Sequence, residues 1–177
     1  MEHAADADLV RDARRGDEAA FTSLLRPLLE PAYRLASGML QDRQLAEDAV
    51  QEAAVNAWRK LDQLREGTPM RPWFLGIVAN ECRTTRRSRW WSVVKTDAER
   101  PSAEAPDEDA VRGVDLRRAL KRLSPQQRLV VVLYFYLDLP LEEIATITRA
   151  SVAAVRGRLY RGLHELKADY TISEAQA

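Results

Sequence analysis

The sequence predicts an all-α protein: two small helical domains joined by a flexible acidic linker, the second a helix-turn-helix domain. Three observations lead there. Apolar residues recur at steps of three and four through both halves of the chain, and no period-two run of useful length interrupts them. The stretch TDAERPSAEAPDEDA, from Thr96 to Ala110, carries two prolines, many acids and no apolar periodicity, which is a linker composition. The second half ends in a short helical segment, a three-residue turn and a longer helical segment, the order of a helix-turn-helix. The chain therefore divides into 1–95, a linker 96–112, and 113–177.

In the first half, Leu9 to Arg15 form a helix that Gly16-Asp17 breaks. A second helix runs from Glu18 to Leu40, interrupted or restarted near Pro27 and Pro31. A third spans Leu45–Leu61, with Val50, Ala54, Ala57, Trp58 and Leu61 as its core stripe. Loop residues follow to Pro72, and a fourth helix runs from Trp73 to Arg89, burying Trp73, Phe74, Ile77 and Val78.

The second half opens with a helix near Val114–Arg122. The run LVVVLYFYL, 129–137, would suit a strand by its β-branched and aromatic composition. Ser124-Pro125 before it reads instead as an N-cap followed by proline at the first helical position, so a buried helix is expected over Ser124–Leu137. Leu141–Ile147, the turn Thr148-Arg149-Ala150 and a helix from Ser151 to about Lys167 complete the chain.

Composition excludes several function classes. The 177 residues are 46% apolar and 31% charged, enough for real cores in a soluble helical protein. No run approaches the roughly 18 apolar residues of a membrane span, and MEHAADADLV lacks a signal-peptide pattern. A single cysteine, Cys82, forbids an internal disulfide and fits a reducing cytoplasm; it reads as a small buried residue. With only His3, His164 and Cys82 available, no His/Cys metal site is expected. No cofactor is expected either, and no glycine-rich nucleotide loop or nucleophile/base constellation marks an enzyme. Glu142-Glu143 could be read as a catalytic carboxylate pair, but acids are favoured in the first turn of a helix by its dipole.

The net charge is zero, yet it is segregated. Residues 1–66 carry 9 basic and 13 acidic side chains, 67–95 carry 6 and 1, 96–112 carry 2 and 6, and 113–177 carry 10 and 7. Such a chain presents basic surfaces locally.

The last helix concentrates the argument. Val152, Val155, Leu159 and Leu163 share one face. Ala153, Ala154, Gly157, Tyr160 and Arg161 lie roughly opposite, with Arg156 and Arg158 on the flanks. Small outward residues let a helix approach the floor of a major groove while flanking arginines reach phosphates or guanine edges. A solvated helix that happens to carry three arginines is the competing reading.

Four ordered blocks add to this. LVRDARRGDEAAFTSLL, AEDAVQEAAVNAWRKL, RPWFLGIVANECRTTRR and LSPQQRLVVVLYFYLDLPLEEIATITRASVAAVRGRLYRGLHELK resemble bacterial RNA polymerase sigma factors of the extracytoplasmic-function (ECF) group. The last block holds the group's LSP, EIA and V-x-x-R-L-x-R elements, the latter being Val155, Arg158, Leu159 and Arg161. Departures are Arg149 where a turn glycine is usual, Ala153-Ala154 for Gly-Thr, Gly157 for serine, and Thr84 for an aspartate.

The resemblance implies a transcription initiation factor without catalysis of its own. Its first domain would bind core polymerase and read and melt the −10 element, and its second would read the −35 element. Asp48, Gln51, Glu52, Val55, Asn56 and Arg59 would grip the β′ clamp helices. The loop Asp62–Arg71, with Arg71, Asn80, Arg83, Arg86, Arg87 and Arg89, would hold the non-template strand of the −10 element. Arg149, Ser151, Ala153, Ala154, Arg156, Gly157, Arg158 and Arg161 would meet the −35 duplex. Other implied partners are the polymerase β flap, promoter DNA and an anti-sigma factor, with the factor acting in the cytoplasm and, when bound to polymerase, on the nucleoid. A helix-turn-helix regulator acting without polymerase is the alternative; it leaves the first half idle.

Overall fold

The computed structural model describes residues 2–95 and 117–174, with side chains over 7–88 and 117–167. The expected linker 96–112 and the side chains of Arg89, Trp90 and Trp91 lie outside the described residues. No strand occurs among those described.

The helices are α1 (Glu2–Arg14), α2 (Glu18–Leu25), α3 (Leu29–Leu40), α4 (Arg43–Arg59) and α5 (Met70–Lys95). In the second half come α6 (described over 117–122), α7 (Pro125–Val131), α8 (Leu141–Thr148) and α9 (Val152–Glu174). Their ends follow capping chemistry. Asp17 accepts hydrogen bonds from the Ala19 and Ala20 amides at 2.9 and 3.0 Å, and Asp42 accepts one from the Leu45 amide at 3.1 Å. Pro27 falls in a 3-10 turn, Arg26–Leu28, that joins α2 to α3. Ser124 and Gln127 form a full capping box with Pro125 inside it, so the apolar run 129–137 is helical as expected. Its last part, Val132–Tyr136, widens into a π turn that leaves Tyr134, Phe135 and Tyr136 facing solvent.

The core stripe of α4 is rotated from the expected one. Ala46, Ala49, Ala53 and Ala57 are buried, whereas Val50 and Ala54 are only half-buried. Trp58 is 36% exposed and stands edge-on to Phe21 at 4.9 Å. The alanines face α3 and α5, and four small side chains let those helices pack close, which Val or Trp would prevent.

Between α8 and α9, Arg149 takes the left-handed conformation, φ 52°, with its amide donating back to the carbonyls of Ala145 and Thr146. That is the position where the ECF pattern has glycine. A left-handed L-residue costs about 1 kcal/mol, so Arg149→Gly should raise unfolding stability by roughly that amount. Chemical denaturation of the two proteins measures it.

The buried side chains of the two halves form one continuous cluster. The apolar stretch Leu129–Leu133 has more surface than α9 alone can cover, and α3 supplies the rest. Arg128 sits inside this seam, 4% exposed. Its guanidinium donates to the Leu120 carbonyl at 2.6 Å and, across the seam, to the Met39 carbonyl at 3.1 Å. Burial first, and the nearby Arg86 charge second, push its pKa down to about 10, so it stays charged at neutral pH. The two carbonyls offset the cost of burying that charge. Arg34 stacks 4.4 Å from the Tyr136 ring centre and donates to the Tyr136 carbonyl at 2.6 Å. Arg71 of α5 pairs with Glu143 of α8 at 3.5 Å, longer than a good hydrogen bond.

Candidate polymerase and nucleic-acid interfaces

Three surfaces carry the expected site residues. On α4, Asp48, Gln51, Glu52 and Arg59 are exposed around Val55, itself 44% exposed. Asp48 accepts a hydrogen bond from Gln44 at 3.0 Å. Asn56 is half-buried and its amide donates to Glu81 of α5 at 3.2 Å, so it braces α4 on α5. An exposed apolar centre with a polar rim is the anatomy of a protein interface.

The second surface is the loop before α5 and the arginine row along that helix. Leu61 and Leu64 anchor the loop in the core, Gly67 turns it at φ +73°, and residues 65–67 are exposed. Arg14, at the end of α1, clamps it from the other side. Its guanidinium donates from Nη2 to the Leu64 carbonyl and from Nε to the Leu61 carbonyl at 3.4 Å. A cavity of about 310 Å³ opens between α1 and residues 64–70, with Arg11 and Arg14 on its wall. Asn80 does not line it; it is exposed further along α5, near Arg83 and Arg87. Arg71 and Arg86 are half-buried against the second half of the chain, and the Arg89 side chain is outside the described residues. The structure thus divides the expected −10 residues by exposure: Asn80, Arg83 and Arg87 are exposed, and Arg71 and Arg86 are half-buried.

On α9, Val155 and Leu159 are buried, and Val152 and Leu163 pack partly. Ser151, Ala153, Arg156, Arg161 and Tyr160 are exposed, Tyr160 by 67%. Ala154, Gly157 and Arg158 are half-buried. Ser151 caps the helix, its hydroxyl accepting from the Ala154 amide at 3.2 Å. A Cβ at Gly157 would meet only the Arg161 guanidinium, at 3.7–4.0 Å. The outward face is therefore open and bordered by cations.

This arrangement of a five-helix first half, an α5 arginine row and a helix-turn-helix has clear relatives. Residues 24–92 match the model of sigma-70 region 2, and residues 113–166 match that of sigma-70 region 4. The sigma factor SigV of Bacillus subtilis is 30% identical over 78% of this chain and 84% of its own length. The chain belongs to the sigma-70 family, in its ECF group. The ECF sigma factor SigE of Mycolicibacterium smegmatis is 31% identical over 88% of this chain and 64% of that protein. Among solved structures, CnrH in complex with the cytosolic domain of CnrY has the same fold: TM-score 0.74, 24% identity, 98% of this chain and 99% of that one. The sigma factor RpoE of Bartonella quintana, solved with the anti-sigma factor NepR, gives TM-score 0.69 at 24% identity over 86% and 97%.

As an ECF sigma factor, the chain acts in the initiation of transcription. No described helix is long and apolar enough to cross a membrane. Three residues escaped the sequence reading: Arg14 on the loop, Glu143 as the partner of Arg71, and the buried Arg128. Only Arg128 had a local signal, a cation directly before a run of apolar residues. Cys82 is fully buried, and its thiol is pushed up to about 12, first by burial, so it stays protonated and inert.

Proposed function

We propose that this sigma factor binds core polymerase through the α4 face, reads and melts the −10 element with the loop and α5, and reads the −35 duplex with α9. One observation carries the reading: Ser151, Ala153, Arg156, Tyr160 and Arg161 crowd the open face of a helix whose opposite side is sealed in the core. The factor has no catalysis of its own and works in the cytoplasm, on the nucleoid when bound to polymerase. The structural neighbours CnrH and RpoE are held by CnrY and NepR; the same fold supports an anti-sigma partner here, and the exposed Tyr134–Tyr136 turn supports contact with the β flap.

The packed arrangement is a resting state in this reading. The two elements are named for positions about 25 base pairs apart, about 85 Å of B-form duplex. A compact chain of this length is only about 40 Å across. The halves must separate, and the 17-residue stretch 96–112 can span at most about 60 Å, which suffices.

Charge reversal at Asp48 and Glu52 tests the polymerase face. The double change Asp48→Lys, Glu52→Lys should weaken co-elution with core polymerase by about tenfold or more while the melting temperature holds, since both side chains are exposed. Unchanged core binding removes α4 from the interface. Arg14 gives a second test. Arg14→Ala frees two loop carbonyls and should lower binding of single-stranded −10 DNA by about tenfold with core binding intact. Arg14→Lys, which can still reach one carbonyl, should recover part of that loss.

A further inference from the structure

The seam between the halves gathers arginines, and the pairing of Arg71 with Glu143 leaves others without a carboxylate partner among the described residues. Arg83 of α5 and Arg158 of α9 line one cavity of about 530 Å³, together with Ser124, Gln126 and Thr148. No carboxylate lines it, and neither arginine makes an ion pair among the described residues. One turn along α5 from Arg83, the Nη1 of Arg86 is shut off from solvent and has no acceptor. Arg86 in turn adds its charge to the burial that lowers the pKa of Arg128, the residue before the cavity-lining Leu129. Like charges gathered at a partly buried seam repel, and an anion relieves them.

The donor set favours one class of anion. Guanidinium groups match phosphate oxygens bidentately and supply the charge. Ser124 accepts the Gln127 amide, which leaves its own O–H to donate, and Gln126 is exposed at the rim. The Thr148 hydroxyl is committed to the Ile144 carbonyl at 2.7 Å and contributes only a lone pair. The volume exceeds that of a single phosphate.

We propose that this seam is a binding site for a small di- or oligophosphate anion, held between Arg83 of one half and Arg158 of the other. Its walls come from both halves, so the ligand binds the closed arrangement and stabilises it by mass action. Arg83 and Arg158 are also residues assigned above to the −10 and −35 elements. Occupancy of the seam and promoter reading therefore exclude each other. That competition rests on the proposed function; binding of the anion does not.

The test uses the full chain and pyrophosphate as the probe, titrated at constant ionic strength against chloride so that general screening cancels. Calorimetry should show one site, and the thermal midpoint should rise with pyrophosphate beyond the chloride control. Arg83→Gln and Arg158→Gln should each weaken binding by about tenfold or more. Arg26→Gln, at an exposed arginine in the 3-10 turn after α2, should leave it unchanged. Should a glutamine variant melt early without ligand, Arg83→Lys keeps the charge and should still weaken binding by loss of the planar fork. A pyrophosphate shift no larger than that of chloride overturns the site. So does binding that survives both glutamine variants, and binding lost with Arg158 alone shows that the ligand does not bridge the halves. Displacement of bound promoter duplex by pyrophosphate supports the exclusion; simultaneous binding of both overturns it while leaving the site in place.

Discussion

Gly157→Glu should abolish recognition of the −35 element by the polymerase holoenzyme while leaving the melting temperature of the free chain unchanged or slightly raised. Gly157 sits mid-helix on α9, where glycine is about 1 kcal/mol less favourable than alanine. Nothing in the structure requires it there: a Cβ would meet only the mobile end of Arg161, at 3.7 Å or more. The fold therefore tolerates a side chain. A groove does not. Glutamate adds length on the face that must approach the base edges, brings a negative charge toward phosphates, and lies where it can pair with Arg161. Loss of close approach removes several base contacts worth about 1–3 kcal/mol each, so affinity for a selected −35 duplex should fall by about a hundredfold or more. Band-shift titration of holoenzyme on that duplex, with a melting curve of the same variant, gives both quantities. Undiminished affinity would mean that this face never meets DNA, and Arg156, Arg158 and Arg161 would be ordinary solvated charges.

The same helix shows what could be read from sequence and what could not. Its buried and open faces follow directly from the steps Val152, Val155, Leu159 and Leu163, because periodicity reports which side of a helix is sealed. The turn before it was equally visible, although Arg149 replaces the usual glycine. In α4 the same logic misjudged the stripe. Hydrophobicity ranks Val50 and Trp58 above Ala46, Ala49 and Ala53, yet helices approach most closely where side chains are smallest, and the alanines took the core. On the polar outer face, Asp48, Gln51, Glu52, Val55 and Arg59 are exposed because they lie away from both stripes, whereas Asn56 packs onto α5. Long-range ties were invisible. Arg14 reaches carbonyls 47 and 50 residues away, and no local pattern encodes that. The closed seam was hidden for a related reason. Each half has its own periodicity, and nothing in either says that the leftover apolar surface of α7 will be covered by α3.

Gly38→Val should open that seam without unfolding the first half. Gly38 lies on α3, and a Cβ built there falls 2.9 Å from both Cγ methyls of Val132 across the interface. Real contacts of that kind do not fall so short, and Val132 is buried and β-branched, so its χ1 is restricted. Within α3 itself the change is mild, because valine is a better helix former than glycine by a few tenths of a kcal/mol. The strain, about 1–3 kcal/mol, therefore falls on the contact between halves. Among the described residues, the ties that oppose separation include the Arg128–Met39 and Arg34–Tyr136 hydrogen bonds, the long Arg71–Glu143 pair and the apolar patch itself. Small-angle scattering of the full chain should show a larger radius of gyration in the variant, while helical content by circular dichroism stays the same. Promoter capture with core polymerase should speed up by about tenfold, since separation is then no longer a barrier to reading two distant elements. A variant as compact as the parent would mean that the seam repacks around the valine. A variant that opens but captures promoter no faster would show that the closed arrangement does not restrain the factor.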